Sequence, residues 1–153
     1  MSDKQVPLTR EGRARLEGEL VQLRIQRRAV SERLHNAQEQ GTSQNDAEYD
    51  DAKQEQGMVE GRILEVEDIL RRAVTIDTSA HTGRVTIGST IDVEQDGKHR
   101  HFQIVGAPEA DPSNGRISNE SPVGSALLGH LQGETVDVHT PKGGIKVKIL
   151  NIE

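Results

Sequence analysis

Between residues 8 and 73 the apolar side chains recur at alternating steps of four and three. The first run is Leu16, Leu20, Leu23, then Val30, Leu34 and Ala37, with Arg27 in the slot where an apolar residue is due. The second is Tyr49, Ala52, Val59, Ile63, Val66, Leu70 and Ala73, with Gln56 in the interrupted slot. A 4,3 rhythm is the seam of a coiled coil, so both runs predict long helices that bury one narrow stripe. Thr9 is a suitable N-cap for the first helix, with Glu11 in its opening turn. The runs mirror each other. Leu16 with Leu70, Leu20 with Val66, Leu23 with Ile63, Leu34 with Ala52 and Ala37 with Tyr49 all have numbers adding to 86, which centres the symmetry on Ser43. A chain folded back through Gly41-Thr42-Ser43-Gln44-Asn45 brings these residues together layer by layer, with Arg27 facing Val59 and Gln56 facing Val30. Each arm of about 30 residues reaches about 45 Å at the helical rise. Two helices packed separately on another domain are the alternative, but the stripe is too narrow to cover two partners.

The pattern changes after residue 75. Short alternating segments predict strands at Val85–Ile87, Thr90–Val93, His99–Val105, Arg116–Ser118, Thr135–His139 and Ile145–Ile152. Asp96-Gly97 reads as a two-residue hairpin turn, and Pro112-Ser113-Asn114-Gly115 and Pro141-Lys142-Gly143-Gly144 as further turns. Ile145, Val147 and Ile149 alternate with Lys146 and Lys148, so the last strand has one buried and one wet face. Ser125-Ala126-Leu127-Leu128 suits one short helix over that sheet. The expected organisation is a helical hairpin over 1–75 with its tip near 41–46, a linker over 76–82, and a small antiparallel β domain over 83–153.

Composition agrees with a chain that cannot fill one large core. Of 153 residues 32% are hydrophobic, with one Phe, one Tyr and no Trp. The absence of Cys removes disulfides, thiol nucleophiles and thiolate zinc sites. No apolar run marks a signal peptide, and none approaches the roughly 18 residues of a membrane span. The expectation is a soluble cytoplasmic protein without a membrane partner.

Net charge is −6, which argues against a protein that coats nucleic acid. Its distribution is more informative. Residues 10–34 hold seven basic against four acidic residues, whereas 46–68 hold nine acids against Lys53 and Arg62. Such segments can attract each other, or form two solvated faces. Other motifs are thin. His99 and His101 share a face at strand spacing, and with no carboxylate expected nearby they make a poor metal site. Gly143-Gly144 has no following helix to cradle a phosphate.

Several segments carry a family resemblance. Leu8-Thr9-Arg10-Glu11-Gly12, Gly41 to Tyr49, and Glu60-Gly61-Arg62-Ile63 do so in the helical half. In the second half they are Ile87-Gly88-Ser89, Ile104-Val105-Gly106, Glu109-Ala110-Asp111-Pro112, Ser121-Pro122, Ala126-Leu127-Leu128-Gly129 and Thr140-Pro141-Lys142-Gly143-Gly144. In order and spacing the chain resembles the bacterial Gre transcript cleavage factors, their GreA-like members most closely. The resemblance implies an α+β fold, an N-terminal antiparallel α-helical coiled-coil hairpin plus a C-terminal FKBP-like antiparallel β domain with one short helix. It implies docking of the β domain on bacterial RNA polymerase at the rim of its secondary channel. The hairpin tip would then sit beside the extruded 3′ end of backtracked RNA. The resemblance further implies a factor with no active site of its own, in which two tip carboxylates would help hold a Mg²⁺ shared with the polymerase, which cuts the RNA. A hard cation prefers oxygen ligands, and two metals stabilise the attacking and leaving oxygens. A monomer suffices for this role.

The chain departs from the family pattern at the tip. Thr42 stands where the family has Asp, and Asn45 where it has Glu. Neither carries charge. Asp46, one residue beyond the aligned position, is the candidate replacement metal ligand, and Glu48 is a further tip carboxylate. Both also fit a plainer role as acids at a helix N-terminus, since Ser43 with Asp46 and Asn45 with Glu48 have capping-box spacing. The resemblance assigns RNA contact to Lys53 and to position 38, where Gln38 replaces an expected Arg, and polymerase docking to Glu120, Ser121 and Pro122. Lys53 also suits a merely solvated position, and 120–122 a turn without partners. Three expectations follow: a cleavage-stimulating elongation factor, a related regulator that occupies the channel without promoting cleavage, and an adaptor unconnected with transcription.

Overall fold

The computed structural model describes residues 4–40, 43–77 and 83–153, with the backbone alone at 40 and 43–46. The chain divides into two compact units. One is Ala14–Arg72, and the other joins Met1–Arg13 to Ala73–Glu153.

The first unit is the helical hairpin. Helix α1 runs Arg10–Gln40 and α2 runs Ser43–Arg72. The seam residues Leu16, Leu20, Val30, Leu34, Ala52, Val59, Ile63 and Val66 are all buried. Near the tip Val30, Leu34 and Ala52 form one cluster with Tyr49 packed against it. Leu34 thus meets Ala52, as the mirror pattern predicts. Most outward positions are polar, because a two-helix unit has only one inner face, although Val21, Ile25, Met58 and Leu64 stand exposed outside the seam.

The second unit begins before the hairpin and resumes after it. Strand β1, Val6–Thr9, pairs in parallel with β2, Ala73–Ile76, in the register Val6↔Ala73 through Thr9↔Ile76. Here the structure departs from the sequence reading, which puts 6–9 and 73–75 in the hairpin and starts a linker at 76. The β-branched run Val74-Thr75-Ile76 leaves the helix and finds a strand partner about 70 residues away in sequence, so no local pattern announces it.

The remaining strands form one sheet in the order β5-β4-β3-β7-β6. They are β3 (Thr90–Gln95), β4 (Lys98–Val105), β5 (Arg116–Ser118), β6 (Thr135–Thr140) and β7 (Gly143–Ile152). Helix α3, Pro122–Leu127, is the one short helix, and two 3₁₀ turns cover Ala107–Glu109 and Pro112–Asn114. Asp96 and Gly97 both have positive φ, 53° and 75°, and close the β3–β4 hairpin as the dipeptide predicts. Val147 and Ile149 are fully buried between exposed Lys146 and Lys148. They join Ile91, Val93, Ile104, Val138 and Leu127 in the core.

Two details differ from expectation. The sheet is mixed, because β4 and β5 pair in parallel where a wholly antiparallel sheet is expected. The connection between them contains both 3₁₀ turns, long enough to reverse the chain twice. Val85–Ile87 is not a strand. Val85 is buried, but only Arg84 makes a bridge, to Leu131, and the chain turns at 87–88. An apolar residue there fills the core without a ladder, a distinction periodicity cannot make.

Candidate functional site

A rod that presents a small polar end needs a fixed register between its arms. Apolar layers set the spacing, and charged residues flanking them set the pairing. On one flank Arg62 Nε and Nη2 grip the Glu19 carboxylate at 2.6 and 3.0 Å. Farther toward the tip, Arg33 donates to Glu55 at 2.6 Å and the Gln26 amide donates to its other oxygen at 3.1 Å. On the other flank Arg24 lies 3.6 Å from Glu67 and Arg27 lies 3.7 Å from Glu60. Every one of these four pairs joins a base on one helix to an acid on the other. The opposed charge bias of the two segments is therefore spent across the hairpin. Arg27, an interruption of the seam, pairs with Glu60. The Arg62 bond holds the Glu19 carboxyl below its ordinary range, and Arg33, then Gln26, do the same for Glu55.

The tip candidates fall partly outside the described residues. Thr42 lies outside them altogether. Asn45 and Asp46 belong to the opening turns of α2 by backbone, and their side chains are not described. Glu48 is exposed on the next turn. With Arg33, Asn36 and Ala37 it lines an open hollow of about 310 Å³. Among the described residues Glu48 has no ion-pair partner, so its carboxylate is available to an external cation or donor. Lys53 is exposed farther along α2, and its Nζ reaches Gln56 Oε1 at 3.5 Å, at the limit of a hydrogen bond. The ammonium therefore keeps most of its hydrogen-bonding capacity for solvent or phosphate.

The docking candidates sit in the β unit, on the turn that enters α3. Ser121 is the N-cap: its Oγ accepts the Gly124 N–H at 3.1 Å and donates to the Ser118 carbonyl at 2.7 Å. Pro122 occupies the first turn, where a missing N–H costs nothing. Glu120 donates its N–H to Ser118 Oγ at 3.0 Å and presents an exposed carboxylate 3.1 Å from Lys4 Nζ. Backbone groups of the turn are thus satisfied internally, while Glu120 and Pro122 face solvent.

Contrary to the expectation of no carboxylate near His99 and His101, His101 Nδ1 lies 2.6 Å from Asp92 Oδ1, directly across the β3–β4 ladder, because pairing with β3 brings in a residue that spacing along β4 does not show. Among the described residues no group of three or more His, Asp or Glu side chains is arranged to hold a metal. Sequence reasoning missed Glu109. Its carboxyl is buried and bonded to Thr9, one hundred positions earlier. The only available signal was that both residues belong to resembling segments.

Residues 6–75 match the family described as "Transcription elongation factor, N-terminal", and residues 80–153 match "Transcription elongation factor, GreA/GreB, C-term". The chain is 49% identical over 156 residues to "Transcription elongation factor GreA" of Chloroflexus aggregans, covering 99% of each chain. It is 45% identical over 155 residues to the protein of that name from Listeria welshimeri, covering 99% of this chain and 97% of the relative. Among solved structures, GreA factor homolog 1 (Gfh1) of Thermus thermophilus is 33% identical, with a TM-score of 0.48 over 98% of this chain and 99% of the other.

Proposed function

The chain belongs to the GreA/GreB family of transcription elongation factors, and on that premise we propose that it binds bacterial RNA polymerase through its β unit and delivers its hairpin tip into the secondary channel, where it stimulates RNA cleavage by the polymerase in backtracked complexes. The observation that carries this reading is the hairpin: a seam and four cross-helix ion pairs that hold two long arms in one register. It ends in a segment whose carboxylates are Asp46 and Glu48.

The chain brings no active site of its own, so its role is to complete another. Glu48, exposed and unpaired among the described residues, fits an oxygen ligand for a hard cation, and Asp46 adds a second carboxylate in the same segment. The chemistry a shared Mg²⁺ supplies when bound is activation of a water and neutralisation of charge on the phosphodiester. Lys53 serves the extruded RNA as a phosphate contact, and that contact weakens with added salt. Glu120 and Pro122 supply the exposed edge of the docking turn.

The test uses purified arrested elongation complexes, Mg²⁺ and the intact chain, with RNA length followed in time. Shortened RNA is expected, with a rate reduced at least about tenfold by Asp46→Ala. No shortening at saturating factor overturns the cleavage reading. Thr42 and Asn45 favour a second reading, occupancy of the channel without cleavage, because neutral oxygens are weak ligands for Mg²⁺. Under it the parent chain slows nucleotide addition without shortening RNA. The double substitution Thr42→Asp with Asn45→Glu then creates cleavage. Unchanged polymerase affinity in both Glu120→Lys and Pro122→Ala would remove the docking assignment.

A further inference from the structure

Two of the resembling segments have no part in the tip or the docking turn: Leu8-Thr9-Arg10-Glu11-Gly12 and Glu109-Ala110-Asp111-Pro112. The structure joins them inside the β unit. Thr9 is 2% exposed and Glu109 is 7% exposed. Glu109 Oε2 accepts the Thr9 N–H at 2.8 Å, and Oε1 accepts the Thr9 hydroxyl at 2.5 Å. The same hydroxyl oxygen accepts the Gly12 N–H at 3.0 Å. A relay therefore runs from the first turn of α1, through its N-cap, to a carboxylate supplied by the turn after β4.

The relay is tightly fitted. A Cβ on Gly12 would lie 2.0 Å from Glu109 Cδ and Oε1, so only glycine lets the helix approach this closely. On the other side, a Cβ on Gly106 would lie 1.8 Å from the Pro7 carbonyl oxygen. The Glu109 N–H donates to the Gly106 carbonyl at 2.9 Å, which sets the turn that aims its carboxylate. A carboxylate is costly to bury, and this one meets three favourable features: two donors and the positive end of a long helix. An ordinary Thr N-cap needs none of this. The extra investment ties the start of α1 to the β unit.

We infer that Glu109 is a positioning residue, a latch that pins the first turn of α1 to the β unit so that docking of the β unit is transmitted to the helix that runs unbroken to the tip. The latch itself follows from the contacts above; its transmitting role rests on the polymerase-binding function proposed here.

The experiment compares the full-length parent with Glu109→Gln, Thr9→Ala and the conservative Thr9→Ser. Amide hydrogen exchange is read at Thr9 and Gly12, and at Val93 and Ile149 in the sheet core. Polymerase affinity and the maximal effect at saturating factor are measured separately. Glu109→Gln keeps the shape but presents an amide N–H₂ where an acceptor is required. Exchange at Thr9 and Gly12 should accelerate about tenfold or more, with the core amides within about twofold of the parent. Thr9→Ala should do the same at Gly12, and Thr9→Ser, which retains the hydroxyl, should restore protection. In the polymerase arm, Glu109→Gln should keep its affinity and lose most of its maximal effect, a split that general destabilisation does not produce. Unchanged exchange at Thr9 and Gly12 overturns the latch, as does equal acceleration in the core. A full maximal effect in Glu109→Gln and Thr9→Ala overturns the transmitting role. A parent chain with no effect on polymerase instead overturns the proposed function, and the exchange arm still decides the latch.

Discussion

The hairpin and the β unit bury their side chains by different means. In the β unit, strands, a helix and a loop converge on one cluster in which Ile91, Val93, Ile104, Leu127, Val138, Val147 and Ile149 are all at most 1% exposed. In the hairpin a single seam, one side chain wide, is bordered by ion pairs open to water. Large apolar side chains remain outside it: Val21, Ile25, Met58 and Leu64 are each more than half exposed. Gly57 and Gly61 stand mid-helix with open space around the site of a Cβ. The β unit is held by packing from all sides. The hairpin is held by a minimal seam plus electrostatics, and its breadth stays close to that of two helices.

The largest test of this contrast truncates one buried residue in each. Ile149→Ala and Ile63→Ala should each cost about 2–5 kcal/mol, because each removes fully packed atoms. The first should melt the sheet and the second the helices, separated by far-UV circular dichroism at helical and strand wavelengths. If either change lowers both signals together, the two regions are one cooperative unit and the contrast fails. Next in size, Gly57→Ala and Gly61→Ala should each raise hairpin stability by up to about 1 kcal/mol, since alanine favours helix and meets no neighbour. A loss of stability would show that the open space is required by the fold.

Smaller again, Glu19→Gln should cost the hairpin no more than about 1 kcal/mol, since the Arg62 pair is over one-third exposed and screened by water. The cost should shrink further in high salt. A pH titration sharpens the same point. Glu19 and Glu55 are held below their ordinary 4.5, and Asp68 below its ordinary 3.8 by Arg71 and Arg72. Depressed carboxylates stabilise the fold above the unfolded value and lose that contribution as pH falls through the folded value. Helix melting temperature should therefore hold steady from neutral pH to about 4.5 and decline below it. A hairpin whose melting temperature rises on acidification would remove the ion pairs from the account.

Much of this architecture can be read from local patterns. Leu34 and Ala52 were paired by numbers mirrored about Ser43, and they share a cluster. Asp96-Gly97 marked its turn, and the Ile145-Val147-Ile149 alternation marked the buried face of its strand. At the candidate site the substitutions Thr42 and Asn45 were visible at once, because a charge absent from the sequence is absent from any fold. The places where reading failed share one property. Val85 looked like strand because burial and extended pairing leave the same apolar mark. Strands β1 and β2 escape a sequence reading, which puts 6–9 and 73–75 in the hairpin, because each is only four residues long and pairs across the whole helical excursion. Charge bias suggested that α1 and α2 attract, but not that Arg62 would choose Glu19 or Arg33 would choose Glu55.

By itself the sequence determined the periodicities: a 3.5-residue seam in two mirrored runs, a two-residue alternation after them, and a tip with carboxylates only at Asp46 and Glu48. Periodicity is a property of neighbours along the chain, so it survives without coordinates. The tertiary structure alone decided which distant groups share a buried volume. Glu109 is an ordinary acid in the sequence and becomes the anchor of α1 only when folding brings it to Thr9 and Gly12. There the low dielectric makes a bonded carboxylate valuable and leaves room for no side chain larger than glycine's hydrogen.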